Sequence, residues 1–222
     1  MINLMHGDCL ELMKTIPDGS VDLILTDPPY GVITGGSNKN KVNKPSGILT
    51  ENKQLMKNIP DFSDWIEDAY RVLKNSCHAY IMTNTINLTK IIVCAEKAGF
   101  KLVNILVWEK NNCTPSQYYM KNCEYTLLFR KGGKRYINNI GGSKTVHKFE
   151  NIIGNKVHPT EKPISLMEFY VGNSSNEGDI ILDMFMGGGS TGVAAKNLNR
   201  SFIGIELDDK YFEIARNRIE SI

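Results

Sequence analysis

A glycine-rich loop near the end of the chain most strongly limits what this sequence can fold into. Residues 184–192 read MFMGGGSTG, in which Gly187, Gly189 and Gly192 have the spacing G-x-G-x-x-G. An apolar run that predicts a β-strand precedes the loop, and a helical pattern follows it. Glycines in that context let the backbone turn sharply and approach a ligand closely, as in α/β folds that bind nucleosides. The loop therefore predicts a nucleoside-type cofactor.

Acidic residues on either side of this loop refine the prediction. Glu206 ends the next predicted strand, 23 residues after Asp183, where a carboxylate accepts hydrogen bonds from ribose hydroxyls. Asp183 itself would repel a pyrophosphate but suits a cation, such as an ammonium or a sulfonium. Two other interpretations stay open from these residues alone. A nicotinamide-dependent oxidoreductase has the same glycine loop, and Asp183 can simply accept hydrogen bonds from backbone amides of the loop.

The position of the loop indicates a permuted chain. In a dinucleotide-binding domain the glycine loop comes first, and most of the sheet follows it. Here only about one predicted strand and one predicted helix remain after Gly192 in a chain of 222 residues. Most of the sheet must come from upstream sequence, so we expect a circularly permuted order of elements.

Alternating residue patterns predict a three-layer α/β fold. Seven apolar runs predict strands, at residues 2–5, 21–25, 79–82, 102–108, 125–129, 180–183 and 202–205. Helix-spaced apolar residues lie at 62–73, 88–98, 167–170 and 211–219. No helical pattern separates 102–108 from 125–129, which predicts an antiparallel hairpin at one edge of a mostly parallel seven-stranded sheet.

The chain length fits a single domain over residues 1–222 with two irregular segments. Residues 31–58 are rich in Gly, Asn and Lys and predict a mobile functional loop, whereas residues 131–157 predict a small inserted recognition element. The stretches 39–57 and 121–148 hold 12 of the 26 basic residues and 2 of the 24 acidic ones. This distribution predicts a localised basic surface.

Composition excludes several classes of protein. The N-terminus lacks the pattern of a secretory signal, and no apolar run approaches the roughly 18 residues of a membrane span, so we expect a cytoplasmic protein without membrane contact. The five cysteines form no Cys-x-x-Cys pair, which predicts reduced, mostly buried thiols rather than disulfides or a zinc site. The histidines show no metal-ligand spacing either, and no metal is expected.

The motif Asp27-Pro28-Pro29-Tyr30 follows the strand predicted at 21–25. Two prolines cannot continue a central strand because they lack the N–H donor, so the motif belongs at a carboxyl end of the sheet, where α/β proteins bind ligands. The carboxylate and the first proline carbonyl can accept both hydrogens of an aromatic amine and draw its lone pair out of the ring. The tyrosine can stack on a base turned out of a duplex. The alternative is a rigid Pro-Pro turn with a buried tyrosine, and the glycine loop favours the amine site.

Taken in order, these motifs make the sequence similar to the beta group of DNA amino-methyltransferases. That group has the catalytic motif first, a target-recognition region next and the cofactor motif last. The similarity covers nearly the whole chain through HGDCL at 6–10, TDPPY at 26–30, VWEK at 107–110, HPTEKP at 158–163, LDMFMGGGSTG at 182–192 and GIE at 204–206. It implies a Rossmann-like methyltransferase fold and S-adenosylmethionine as cofactor.

The resemblance also implies residue roles. Asp8 would bind the adenine of the cofactor and Glu206 its ribose, and Asp183 with the loop 185–189 would hold the methionine part. The implied catalytic residues are Asp27, Pro28, Pro29 and Tyr30. The implied cofactor-binding residues are Asp8, Cys9, Asp27, Thr160, Lys162, Pro163, Asp183, Met184, Phe185, Gly187, Gly189, Thr191, Glu206 and Leu207. Glu161 departs from the glutamine that the group usually carries there.

An aspartate at the head of the catalytic motif favours N6 of adenine over N4 of cytosine in this group. The resemblance thus implies a site-specific methyltransferase acting on a flipped adenine in double-stranded DNA. The region 131–157 is short for target recognition, which suggests a short target site, a homodimer or a partner protein. We expect Trp65 and Trp108 in the core, and Tyr118 and Tyr119 packed along an edge strand rather than facing the flipped base.

Overall fold

The structure is a computed structural model that describes residues 1–29, 59–114, 118–152, 154, 157–158 and 160–222. Tyr30 of the predicted catalytic motif lies outside the described residues. So does the loop predicted at 31–58, which includes the first basic stretch.

One sheet of eight strands forms the centre of the described fold. The strands are β1 (Ile2–His6), β2 (Val21–Thr26), β3 (Leu73–Thr83), β4 (Lys101–Thr114), β5 (Lys121–Arg130), β6 (Val146–Lys148), β7 (Ile180–Asp183) and β8 (Ser201–Glu206). The seven predicted strands are confirmed. The expected total of seven strands was too low by one. The additional strand is β6, which is only three residues long and lies within the segment predicted as an insertion.

The strand order is β1-β8-β7-β2-β3-β5-β4-β6. Only β5 among the described strands runs against the others, since it pairs antiparallel with both β3 and β4, and β6 then pairs parallel with β4. The predicted antiparallel hairpin is therefore present, but β6 covers its outer strand, so it is not at the edge. Most of the sheet precedes the glycine loop in the chain, as the permuted order predicts.

Helices cover both faces of the sheet. They are α1 (Cys9–Leu12), α2 (Phe62–Val72), α3 (Leu88–Ala98), α4 (Ile164–Ser174), α5 (Ser190–Asn197) and α6 (Asp209–Glu220). Ile24 of β2 packs in a core with α1, α2 and α3, whereas its neighbours Leu23 and Leu25 pack in a second core with α4, α5 and α6. This alternation makes the three layers.

Local sequence signals explain where two of the helices begin and end. Asp61 caps α2, with its carboxylate accepting from Ser63 N and its own N–H donating to Asp64 in a capping box. Gly99 ends α3 in the left-handed region at φ 107°, which glycine tolerates without strain. These signals set the ends of the two helices, and both helices pack their apolar faces in the first core.

The two tryptophans lie in the core as predicted, each 1% exposed. The cysteines match the prediction only in part. All five are free thiols, but Cys9 and Cys77 alone are buried, and Cys113 is exposed. Among the helices of the described residues, none combines the length and the apolar character that crossing a membrane requires.

Candidate active site

A cavity of about 1120 Å³ opens at the carboxyl edge of the parallel strands. Its described walls come mainly from residues 7–10, 26–29, 183–188 and 205–211, each of which lies at or just after the carboxyl end of a parallel strand. The chain segments with the predicted catalytic and cofactor motifs thus meet at one site, although 156 positions separate Asp27 from Asp183 in sequence. This is where α/β folds bind their ligands.

Asp27, Pro28 and Pro29 line this cavity directly after β2. The Asp27 carboxylate forms an ion pair with Lys162, whose side chain is only 8% exposed. Lys162 Nζ also donates to the backbone carbonyl of Thr160 at 3.2 Å. Lys162, itself held by Thr160, therefore fixes the orientation of the predicted catalytic carboxylate.

Glu124 of β5 shares the same lysine. Its Oε2 lies 3.6 Å from Lys162 Nζ, and its Oε1 accepts a hydrogen bond of 3.0 Å from Lys110 Nζ. Burial alone would raise the pKa of Glu124, but Lys162 and Lys110 outweigh it and hold the pKa below its ordinary value. The result is a chain of alternating charges that runs from Lys110 through Glu124 and Lys162 to Asp27. The sequence motifs missed Glu124, and its one signal was that it is the single acid of the stretch 121–148.

Asp183 lies deeper in the cavity wall and is 3% exposed. Its carboxylate accepts hydrogen bonds from Thr26 Oγ1 at 2.8 Å, Thr191 Oγ1 at 2.7 Å and Phe185 N at 3.1 Å. Burial raises its pKa to about 6 in spite of these donors. The alternative in which Asp183 bonds an amide of the loop is thus realised, and the same carboxylate still lines the cavity.

Glu206 ends β8 beside the glycine loop. Its two oxygens accept from Gly187 N and Asp208 N, each at 2.9 Å, and burial raises its pKa. After the neighbouring strand β1, which pairs with β8, the exposed Asp8 caps α1 by accepting from Leu10 N at 2.9 Å. Each carboxylate oxygen has a second lone pair, so both residues can accept further hydrogen bonds from a ligand.

The glycines of the loop serve helix packing as well as the cavity. Gly189 adopts φ 81° and lies against α6, where an added Cβ would be 3.0 Å from Ala215 Cβ. A Cβ on Gly192 would be 2.3 Å from Ile219 Cδ1, which leaves no space for any side chain. These two glycines therefore fit the loop against α6, whereas Gly187 faces the cavity.

Glu161 connects the segment HPTEKP to the same loop. Its Oε1 lies 2.8 Å from Arg218 Nη2, and its Oε2 accepts from Val157 N at 2.9 Å. Arg218 in turn donates to the carbonyl oxygen of Gly188. The glutamate at this position, which departs from the family pattern, is thus matched by an arginine on α6, and no sequence motif indicates that pairing.

The structure places nearly all predicted site residues at the cavity. Of the predicted cofactor residues, Pro163 and Gly189 alone do not line it: Pro163 caps α4, and Gly189 faces α6. Within the described ranges, no cluster of three or more His, Cys, Asp or Glu could hold a metal ion.

Two sequence-based expectations about the surface are wrong. Tyr118 and Tyr119 do not pack along a strand but are 91% and 88% exposed. The basic stretch 121–148 does not form one surface either. Lys121 starts β5 at the carboxyl edge, whereas Lys131 follows β5 at the opposite edge and donates to the Tyr70 and Leu73 carbonyls at 2.6 and 2.7 Å.

Comparison with known proteins gives consistent matches. The sequence matches the family described as DNA methylase over residues 21–217. It is 32% identical to the type II methyltransferase M2.DpnII of Streptococcus pneumoniae, over 98% of this chain and 89% of that protein. It is 31% identical to the type II methyltransferase M2.LlaDCHI of Lactococcus lactis subsp. cremoris, over 97% and 88%. The crystal structure of the M1.HpyAVI–SAM complex superposes with a TM-score of 0.76 at 28% identity and covers 99% of both chains.

Proposed function

This chain belongs to the DNA methylase family, and from that premise we propose that it transfers a methyl group to the N6 amine of an adenine in double-stranded DNA. It is an S-adenosylmethionine-dependent DNA methyltransferase. The observation that carries the proposal is that Asp27-Pro28-Pro29 opens on the same cavity as Asp183, the glycine loop and Glu206.

The cavity wall suits the chemical groups of S-adenosylmethionine. Asp183 offers a buried carboxylate to a cationic methionine part, and Glu206 offers acceptors to ribose hydroxyls. Asp8, which also lines the cavity and follows the adjacent strand β1, offers an acceptor to the adenine amine. When bound, the cofactor supplies an electrophilic methyl group on a sulfonium.

The protein's own task is then to present the amine. The Asp27 carboxylate and the Pro28 carbonyl accept the two N6 hydrogens, which favours a pyramidal nitrogen with its lone pair free for attack. Lys162 holds Asp27 in one orientation, so little reorganisation is needed. The nitrogen gains a methyl group and loses one proton, and Asp27 is the acceptor that the motif offers for that proton.

The choice of adenine rests on Asp27 at the head of the motif. Cytosine N4 is the second candidate, because the same pair of acceptors can bind its exocyclic amine. We propose that the protein acts in a restriction–modification setting, which the names of its relatives as type II methyltransferases support, and that it does so in the cytoplasm. We propose that the chain is a single domain whose recognition region lies at residues 131–157. Because this region is short, a homodimer would enlarge the surface available for target recognition.

The direct test is methyl transfer. The protein is incubated with S-adenosylmethionine labelled in the methyl group and with DNA from a strain that lacks adenine methylation. Nucleoside analysis of the product should give labelled N6-methyladenine, and sequencing of the methylated bases should give the target site. Label in N4-methylcytosine would favour the second candidate, and absence of label from all DNA would refute the proposal.

Asp27→Ala distinguishes an enzyme from a DNA-binding protein that merely keeps the fold. We expect the variant to lose about 100-fold or more in kcat, because it removes an acceptor aimed at the reacting amine. Cofactor binding, measured by calorimetry, should be largely preserved, because Asp8, Asp183 and Glu206 still line the cavity and only the share implied for Asp27 is lost. A variant as active as the wild type would remove Asp27 from the mechanism.

A further inference from the structure

The hairpin of β4 and β5 extends past the carboxyl edge of the sheet. The last residue of β3, Thr83, pairs with Tyr125 of β5. Residues 121–124 and the paired part of β4 therefore project beyond the parallel strands, on the side where the cavity opens. The far end of β5 lies at the opposite edge, where Arg130 pairs with His78.

The base of this hairpin is fixed relative to the catalytic carboxylate. Glu124 shares Lys162 with Asp27, and Lys110 closes the ion-pair chain across the hairpin. Trp108 is buried there and donates from Nε1 to the Phe149 carbonyl at 2.8 Å. The hairpin therefore cannot shift without disturbing the ion pair at Asp27.

The tip carries large side chains in solvent. Tyr118 and Tyr119 are almost fully exposed, and Met120 is 61% exposed. The five residue steps from Tyr119 to Glu124 span at most about 18 Å, which keeps the tip within reach of base pairs beside the active site. A cluster of this size on the cavity side is a candidate for contact with a partner.

The charge of the hairpin fits a nucleic acid. The sequence from Lys110 to Cys123 contains two lysines and no acid. Asn111 and Asn112 are braced by Asn151, whose N–H and side-chain amide donate to them at 2.9 and 3.0 Å. This stretch of sequence therefore has no acidic side chain that would repel a partner rich in phosphates.

We infer that the tip residues Tyr118, Tyr119 and Met120 pack against the DNA bases next to the adenine that enters the cavity. The inference rests on the proposed function and adds the surface that supports base extrusion. Removing a base from the stack leaves apolar base faces exposed, and aromatic or apolar side chains can cover such faces. The tip is the described surface that joins exposed aromatic rings to an anchored position near Asp27.

The test compares matched variants on a short duplex that contains the site found by methylation sequencing, with 2-aminopurine replacing the target adenine in a parallel duplex. The variants are Tyr118→Ala/Tyr119→Ala, which removes both rings, and Tyr118→Phe/Tyr119→Phe, which keeps them. Tyr136→Ala is the control, because Tyr136 is 78% exposed but follows β5 at the opposite edge. Methyl transfer, 2-aminopurine fluorescence and cofactor affinity are measured for each.

We expect the double alanine variant to lose about 10- to 100-fold in kcat/KM for DNA, because the stacking of aromatic rings on bases is lost with both tyrosines. Its 2-aminopurine signal should fall, and its cofactor affinity should stay unchanged, which shows an intact fold. The double phenylalanine variant and Tyr136→Ala should resemble the wild type.

The failure of this inference differs from the failure of the proposed function. A wild type that methylates no DNA overturns both. An active wild type with an equally active double alanine variant overturns the inference alone. A double alanine variant with unchanged KM for DNA but altered sedimentation would assign the tip to contact between two copies of the chain, and would also overturn it.

Discussion

Competing influences in the cavity set the ionisation of the Asp183 carboxyl. Burial raises the pKa of its carboxyl from an ordinary value of 3.8 to about 6, against three hydrogen bonds that lower it. Nearby Asp27 adds a smaller repulsion. A cation next to Asp183 would favour the ionised form, so ligand binding and ionisation should be linked.

We therefore expect the affinity for S-adenosylmethionine to fall as pH drops below about 6, approaching tenfold per pH unit. The dissociation constant is measured by calorimetry between pH 5 and 8. Asp183→Asn should bind weakly with a flat profile. A flat profile in the wild type would contradict the role of Asp183 as partner of the cation.

The same pKa shift decides how the contribution of Asp183 to the stability of the fold changes with pH. The folded-state pKa of Asp183 lies above the unfolded value of 3.8, so its carboxyl favours the folded state while it is protonated. That contribution is lost as pH rises from 3.8 to about 6. Asp183 thus serves ligand binding at a cost to the stability of the empty protein at neutral pH.

Glu124 acts on Asp27 only through Lys162, which makes it a positioning residue. We expect Glu124→Gln to lower kcat about tenfold, because Lys162 would then pair with Asp27 alone and weaken it as an acceptor. The dissociation constant for the cofactor should hardly change. Glu109→Gln is the matched control, since Glu109 lies on the neighbouring strand and pairs with Lys148 rather than Lys162. Equal effects of the two variants would remove Glu124 from this role.

At the scale of elements, α6 is attached to the glycine loop by close packing and by charge. Ala215 and Ile219 fill the space beside Gly189 and Gly192, and Arg218 joins Glu161 to the Gly188 carbonyl. Glu161 is almost fully buried, so the loss of its charge leaves Arg218 without its anion. The final helix therefore stabilises the loop from behind.

Glu161→Gln should lower the free energy of unfolding by about 2 kcal/mol, below the range for fully buried pairs because Arg218 is partly exposed. Adding Arg218→Met should recover part of that loss, and a double-mutant cycle from denaturant unfolding measures the coupling. Additive effects of the two substitutions would show that the pair contributes no coupling energy.

The elements were predictable where burial repeats along the chain. β2 is buried at every position, and such runs identify central strands without any tertiary information. β6 and α1 have three and four residues, too few for a period to emerge, and they form because neighbours supply their partners. Gly99 predicted the end of α3 because its left-handed backbone is a local property.

The candidate site was predictable in its motifs but not in its pairings. The strand ends place Asp27, Asp183 and Glu206 at one edge, which follows from topology alone. Lys162 reaches Asp27 across 135 residues of sequence, and Glu124 joins them from a strand outside every motif. Such contacts depend on register and side-chain direction, which a single sequence does not encode locally. The exposure of Tyr118 and Tyr119 is not predictable from the sequence for the same reason.

At the scale of the whole molecule, the two ends of the sheet have different roles. The carboxyl edge gathers acidic residues around the cavity, and the β4–β5 hairpin projects there with Lys121 next to its tip. At the opposite edge, Lys131 donates to three backbone carbonyls, and burial lowers the pKa of its ammonium. Basic residues close in sequence thus divide into one group beside the cavity and another that stabilises the fold.

This division predicts which lysines bind phosphate. Lys121→Ala should weaken DNA binding and reduce the slope of log K against log salt by about 1, because one phosphate contact and its released counterion are lost. Lys134→Ala is the control, since Lys134 is exposed but lies at the opposite edge after β5. Binding is measured by fluorescence anisotropy on one duplex from about 50 to about 200 mM salt.

Equal slopes for Lys121→Ala and the wild type would mean that DNA approaches from another side, whereas a reduced slope for Lys134→Ala would extend the DNA surface to the far edge. Because the carboxyl edge holds both the cavity and the hairpin, we expect the phosphate contacts to lie there as well.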